Sequence, residues 1–132
     1  MTNRYIITGD RGFIGKNLLN YISKIDKNSK IITTPKKLDL SNESKVNNFF
    51  KKQKKINYIF HLADVSGNKN WSKQNSFKQT LENIKIHSNV ISGWKSHLPK
   101  AKFIFVSSLW AYPIGEKKSL EKNYWNGLML KE

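Results

Sequence analysis

The sequence predicts a parallel α/β sheet with helices wound on both faces, and three observations support this. Short apolar runs alternate with longer segments of helical periodicity, giving the order βαβαβαβ. The strand runs are apolar at consecutive positions, as strands covered on both faces are, rather than alternating apolar and polar. No internal repeat, low-complexity linker or shift of composition divides the 132 residues, so the elements belong to one sheet.

Tyr5-Ile6-Ile7-Thr8 is the first strand, ended by Gly9. From Phe13 the pattern turns helical, with Ile14, Leu18, Ile22 and Ile25 at three- and four-residue spacing, and Asn28-Ser29 closes that segment. Ile31 to Thr34 is a β-branched second strand stopped by Pro35. A second helix lies between Ser41 and Lys55, with Ser41 or Asn42 available as its N-cap and Val46, Phe49 and Phe50 as its buried stripe. Tyr58 to Leu62 is the third strand, and the polar stretch from Ser66 to Ser76 reads as a long loop. The next helix runs from about Phe77 to Lys95, with Leu81, Ile84, Ser88, Ile91 and Trp94 assigned to its packed face. Pro99 ends it, and Phe103 to Val106 is the fourth strand.

The composition excludes several classes of function. With no cysteine there is no disulfide framework, thiolate zinc site or cysteine nucleophile. The N-terminus lacks a signal-peptide pattern, and no apolar run approaches the ~20 residues of a membrane span. A cytoplasmic protein without membrane attachment is therefore expected. The net charge of +15 invites a nucleic-acid reading. Arg4 and Arg11 are the only arginines, however, and bidentate readout of bases and phosphates favours arginine. The lysines are dispersed, and the densest group, Lys51 to Lys55, sits at a helix end where it faces water and the helix dipole. The charge is assigned to a solvated surface, with a basic nucleic-acid-binding domain as an alternative.

The first turn carries the strongest chemical signal. Thr8-Gly9-Asp10-Arg11-Gly12-Phe13-Ile14-Gly15 has the spacing T-G-x-x-G-x-x-G between a strand and a helix. Gly9 permits a tight turn, Gly12 lets backbone approach a pyrophosphate, and Gly15 lets the helix pack on the strand. Dinucleotide binding is the expected role. An acidic residue about 20 positions past the glycines would mark NAD; that position instead holds Pro35-Lys36-Lys37. Lys36, Lys37 and Arg11 suit the 2′-phosphate of NADP, which is favoured over NAD.

These features, with Leu38-Asp39-Leu40, His61-Leu62-Ala63 and Val106-Ser107-Ser108 at the ends of successive strands, resemble the NAD-dependent epimerase/dehydratases, the extended short-chain dehydrogenase/reductases. Within that family the turn Gly9 to Gly12, Phe49-Phe50, Asn83, Asn89 and Tyr112-Pro113 are similar to GDP-fucose synthase-type enzymes. The resemblance implies a Rossmann-like sheet of about four strands in the order 3-2-1-4, incomplete relative to the family, with a C-terminal substrate domain absent. It implies that Asp39 contacts the adenine amino group, Leu40 packs beside the ring, and Leu62 and the Ala63 backbone line the cofactor. A capping role for Asp39 is the alternative. Asp64 departs from the small residue usual in the family. His61 is read as a structural histidine. Ser108, four residues before Tyr112, matches the catalytic Ser/Thr that polarises a sugar hydroxyl or carbonyl, with Ser107 as the other candidate.

Two departures limit the resemblance. None of the five tyrosines has a lysine four positions later, so the family's Tyr-x-x-x-Lys pair has no match; after Tyr124 that position is Leu128. Trp110 stands where fucose synthases carry a catalytic cysteine. The expectation is the N-terminal cofactor-binding half of an NAD(P)-dependent nucleotide-sugar epimerase, dehydratase or reductase, inactive alone. Its partners would be a nucleotide-sugar substrate in a complete enzyme and a complementary chain or second copy. A noncatalytic NADP-binding or partner-binding module is the alternative. The fourth strand is expected to form an open sheet edge.

Overall fold

The computed structural model describes residues 2–106. Four parallel strands, β1 (Arg4–Thr8), β2 (Lys30–Thr33), β3 (Tyr58–His61) and β4 (Lys102–Phe105), are joined by α1 (Phe13–Ile25), α2 (Glu43–Lys51), α3 (Lys69–Gln74) and α4 (Ser76–His97). The sheet order is β2-β1-β3-β4. The parallel α/β class is as the sequence predicts; the strand order is not.

The expected order 3-2-1-4 would seat the third strand outside the second, whereas β3 lies against the opposite edge of β1. Asn57 explains the placement. Its side-chain oxygen accepts from the Arg4 N–H at 2.9 Å, its N–H donates to the Arg4 carbonyl, and its own carbonyl accepts from Lys102 N–H. This one residue stitches the starts of β1, β3 and β4 together. Burial agrees: Ile59 and His61 of β3 are sequestered, while β2 begins at an exposed Lys30 and contains no buried residue. The strand that buries more takes the interior position. β2 and β4 are the two edges among the described strands.

Parallel crossovers are right-handed, so the order places helices on both faces. The step from β1 to β2 runs one way, and the step from β2 over β1 to β3 runs the other. α1 therefore covers one face, while α2 and α4 pack together on the second. Ile6 and its register partner Ile59 anchor that second face with Val46, Phe50, Ile56, Val90, Leu98 and Ala101. Tyr5 stacks on Tyr58 at 5.3 Å on the α1 side.

Of the two caps expected for α2, Asn42 is the one used, its side chain accepting from Lys45 N–H. Three other local expectations are revised. The expected loop 66–76 contains α3, started by Asn68 accepting from Trp71 N–H. The packed face of α4 is Ile86, Val90 and Gly93, with the expected Trp94 half-buried against the same core, while Leu81, Ile84, Ser88 and Ile91 are exposed. Counting apolar residues selects the wrong stripe because Gly93 has no side chain to count. Its bare backbone makes room for Phe50: a Cβ there would lie 2.6 Å from a Phe50 ring carbon. On α1 the buried positions are Gly15 and Ile22, and the expected Ile14 and Ile25 are exposed.

Candidate cofactor and active site

The chain moves from β1 to one side and later to the other, so a crevice opens between the carboxyl ends of β1 and β3. Open α/β sheets bind ligands at such a reversal. The glycine turn closes one wall of it. Gly9 has φ 73°, and a Cβ there would sit 2.7 Å from backbone atoms of Leu62 and Ala63. Only glycine brings the β1 turn this close to the end of β3. Gly12 N–H donates to the Gly9 carbonyl at 3.0 Å, and Gly15 is buried where a Cβ would overlap that same carbonyl oxygen.

Gly12 is the N-cap of α1 and provides no side-chain acceptor, and the first turn holds no acidic residue. The first N–H groups of α1, with the positive end of its dipole, are left for an anion. The backbone cradle that any Cβ would fill fits a dinucleotide pyrophosphate. Thr8, Gly9, Gly12, Ile14, Gly15, Leu62 and Ala63 come together at this crevice. A pocket of about 370 Å³ beside it is lined by Ile14, His61 to Asp64, His87, Phe105 and Val106. Phe13 is 86% exposed and does not line it. Ser108 and Ser107 lie outside the described residues, directly after the pocket residue Val106.

A second group of expected residues follows β2. Lys36 and Lys37 are exposed at the centre of a turn in which Leu38 N–H donates to the Pro35 carbonyl, and Arg11 is exposed in the β1 turn. β1 and β2 are adjacent and parallel, so these cations share the carboxyl edge. Asp39 is exposed and its Oδ1 accepts from the Ser41 N–H at 2.9 Å and the Ser41 hydroxyl at 2.7 Å. Those bonds hold its carboxyl below the usual carboxylate range. The local turn role weighed for Asp39 is thus visible, although Asn42 provides the cap. Leu40 is half-buried, and its carbonyl accepts from Asn89 Nδ2 at 3.0 Å.

His61 is a core residue, 1% exposed. Its Nδ1 lies 2.7 Å from Thr8 Oγ1 and its Nε2 lies 2.9 Å from Nδ1 of His87. Burial, then the neighbouring His87, pushes its pKa down to about 4, so the ring is neutral near pH 7. Burial also lowers His87, while the Asp64 carboxylate pulls the other way. His87 has no place among the sequence-derived candidates. The available signal was a histidine between Ile86 and Val90, inside the true packed stripe. Asn83 brackets the loop after β3, accepting from Val65 N–H and donating to the Val65 carbonyl. Together Asn83 and Asn89 tie the loops after β3 and β2 to α4.

Comparison with known proteins settles the family. The NAD dependent epimerase/dehydratase family matches residues 5–126. The chain belongs to that family. Among its relatives, an epimerase family protein of Staphylococcus aureus is 31% identical over 117 residues, covering 83% of this chain and 38% of that protein. A dTDP-D-glucose 4,6-dehydratase of Dictyostelium discoideum is 32% identical over 134 residues, covering 85% and 30% respectively. A solved GDP-mannoheptose C4 reductase of Campylobacter jejuni with NADP bound superimposes with a TM-score of 0.74 at 28% identity, over 93% of this chain and 36% of that one. The chain therefore spans about a third of the length of these epimerase/dehydratase relatives. Among the described residues, no helix is long and apolar enough to cross a membrane.

Proposed function

We propose that this chain provides the cofactor-binding part of an NADP-dependent nucleotide-sugar epimerase, dehydratase or reductase. The observation that carries the reading is the glycine turn packed without a Cβ's clearance against Leu62 and Ala63, at the mouth of the sheet's reversal. Gly9, Gly12 and the open N-terminus of α1 would hold the pyrophosphate. Arg11, Lys36 and Lys37 would neutralise a 2′-phosphate, and Asp39 with Leu40 would meet the adenine. Leu62 and the Ala63 backbone would line the dinucleotide on the β3 side.

When bound, the dinucleotide supplies a hydride acceptor or donor. Ser108 would polarise the sugar hydroxyl or carbonyl by hydrogen bonding. Since no tyrosine here carries a lysine four positions on, proton transfer by such a pair is not assigned to these residues. The family, the NADP bound in the reductase relative and the dehydratase relative support the cofactor-binding part of this reading; the lack of turnover by this chain alone is expected from the missing Tyr-x-x-x-Lys pattern.

Titrating the chain with NADPH while following tryptophan fluorescence tests this. Saturable binding, weaker for NADH, is expected. Absence of saturable binding at low salt overturns the reading, and turnover of a nucleotide sugar at enzyme-like rates overturns the assignment as a binding part only.

A further inference from the structure

The pocket beside the glycine turn contains a hydrogen-bond chain whose direction can be worked out from one hydroxyl. Thr8 Oγ1 lies 3.3 Å from the Ala63 nitrogen, whose N–H donates to it, and 3.2 Å from the Leu62 nitrogen, whose N–H is shared between this hydroxyl and the Thr8 carbonyl. A hydroxyl oxygen has two acceptor lone pairs and one proton to give. With two backbone N–H groups directed at its lone pairs, the Thr8 hydroxyl has its proton left for the third and shortest contact, His61 Nδ1 at 2.7 Å. His61 Nδ1 is then an acceptor, and the neutral ring carries its proton on Nε2.

That proton lies on the line to His87, so His61 Nε2–H donates to His87 Nδ1 at 2.9 Å. The same reasoning transfers one ring further: His87 accepts at Nδ1 and keeps its proton on Nε2. His87 lines the pocket, and its ring stands edge-on to Phe105 at 5.0 Å between centroids. Among the described residues no group is hydrogen-bonded to His87 Nε2. The chain of donors thus begins at two backbone amides and ends in a donor without an acceptor among the described residues.

We propose that His87 is a ligand-binding residue whose Nε2–H, oriented by Thr8 through His61, donates to a neutral carbonyl or hydroxyl oxygen of the molecule seated in this pocket. The inference rests on the dinucleotide reading above for what occupies the crevice. The acceptor is neutral because a cationic His87 would carry a proton on Nδ1 as well, directly opposed to the His61 Nε2–H. Asp64 is the carboxylate that faces His87 across the pocket, which further disfavours an anionic ligand group. Two sources could bring such an oxygen here: the carboxamide of a nicotinamide, or the sugar of a nucleotide-sugar substrate. Thr8 and His61 are positioning residues in this scheme.

The test is nitrogen NMR of the full chain with 15N-labelled histidine at pH 7. Both rings are expected in the Nε2–H form, and a Nδ1–H form in either overturns the proposal. Addition of NADP+ is expected to shift the His87 Nε2–H signal while 2′,5′-ADP, which lacks the nicotinamide, leaves it in place. A shift only when GDP-mannose is added to the NADP+ complex supports the proposal with the sugar as the source. Amide shifts at Gly9 to Gly15 report dinucleotide binding independently. If those amides respond but His87 moves with none of the ligands, the proposal fails and the dinucleotide reading stands. If the amides do not respond, the dinucleotide reading fails and takes this proposal with it. For the ligand that moves His87, His87→Leu should weaken binding roughly fivefold to tenfold, the worth of one neutral hydrogen bond. His87→Gln keeps a donor and should recover most of that loss. Equal affinity of the leucine variant and the unmodified chain overturns the proposal.

Discussion

Asn83 and Val65 are paired twice. The Asn83 Oδ1 accepts the Val65 N–H at 2.6 Å, and its Nδ2 donates to the Val65 carbonyl at 3.0 Å, across 18 residues of sequence. One side-chain amide thus replaces the missing strand partner of a residue just past β3 and fixes the loop that borders the pocket. Asn83→Leu removes both bonds and leaves the Val65 backbone unpaired. Loss of roughly 1–3 kcal/mol is expected in urea unfolding, with faster hydrogen exchange at Val65 than at Ile59.

Gly15→Ala should be severe. The added methyl overlaps the Gly9 carbonyl oxygen, which is backbone and already accepts from Gly12 N–H. Either the turn opens or α1 lifts from β1. A loss of about 2–4 kcal/mol is expected, together with loss of NADPH binding, measured by denaturant unfolding and fluorescence titration.

Gly93→Ala separates propensity from packing. In an open helix this change gains about 1 kcal/mol. Here the methyl would meet Phe50, a fully buried ring at the α2–α4 contact, at 2.6 Å. Net destabilisation by roughly 1–3 kcal/mol is expected. The double variant Gly93→Ala with Phe50→Leu should be less unstable than the sum of the two single changes, and strict additivity would contradict the contact.

His61 makes stability depend on pH in a defined direction. Its folded pKa of about 4 lies below the ordinary histidine value of 6.5, so the unfolded chain binds more protons between those limits. Stability is therefore full above about pH 6.5 and falls as pH drops toward 4. The size is about 3 kcal/mol, from 1.4 kcal/mol per pKa unit. His87, lowered by burial as well, acts in the same direction. Urea midpoints between pH 4 and 7.5 should show the slope, and His61→Gln should flatten it even if its baseline stability is lower.

Much of the architecture was legible in the residues. The apolar runs located the four described strands, and the spacing of Gly9, Gly12 and Gly15 between strand and helix marked the turn that borders the crevice. Local patterns report these because the signal, a run of β-branched residues or a glycine where no side chain fits, is carried by neighbours in the chain. Asn42 was legible as a cap for the same reason, since it bonds three residues away.

Other features depended on residues far apart in sequence. The order β2-β1-β3-β4 rests on Asn57 bonding Arg4 and Lys102, 53 and 45 positions away, which no periodicity records. The packed face of α4 was misassigned except at Trp94, because its members include Gly93, Asn83, His87 and Asn89. Their value lies in what they meet: the Phe50 ring, the Val65 and Leu40 backbones, and His61. The sequence by itself determined the fold class, the glycine turn and the family. Only the tertiary structure decided the strand order and joined Thr8, His61 and His87 into one directed chain, because a hydrogen bond's direction depends on every neighbour its atoms share.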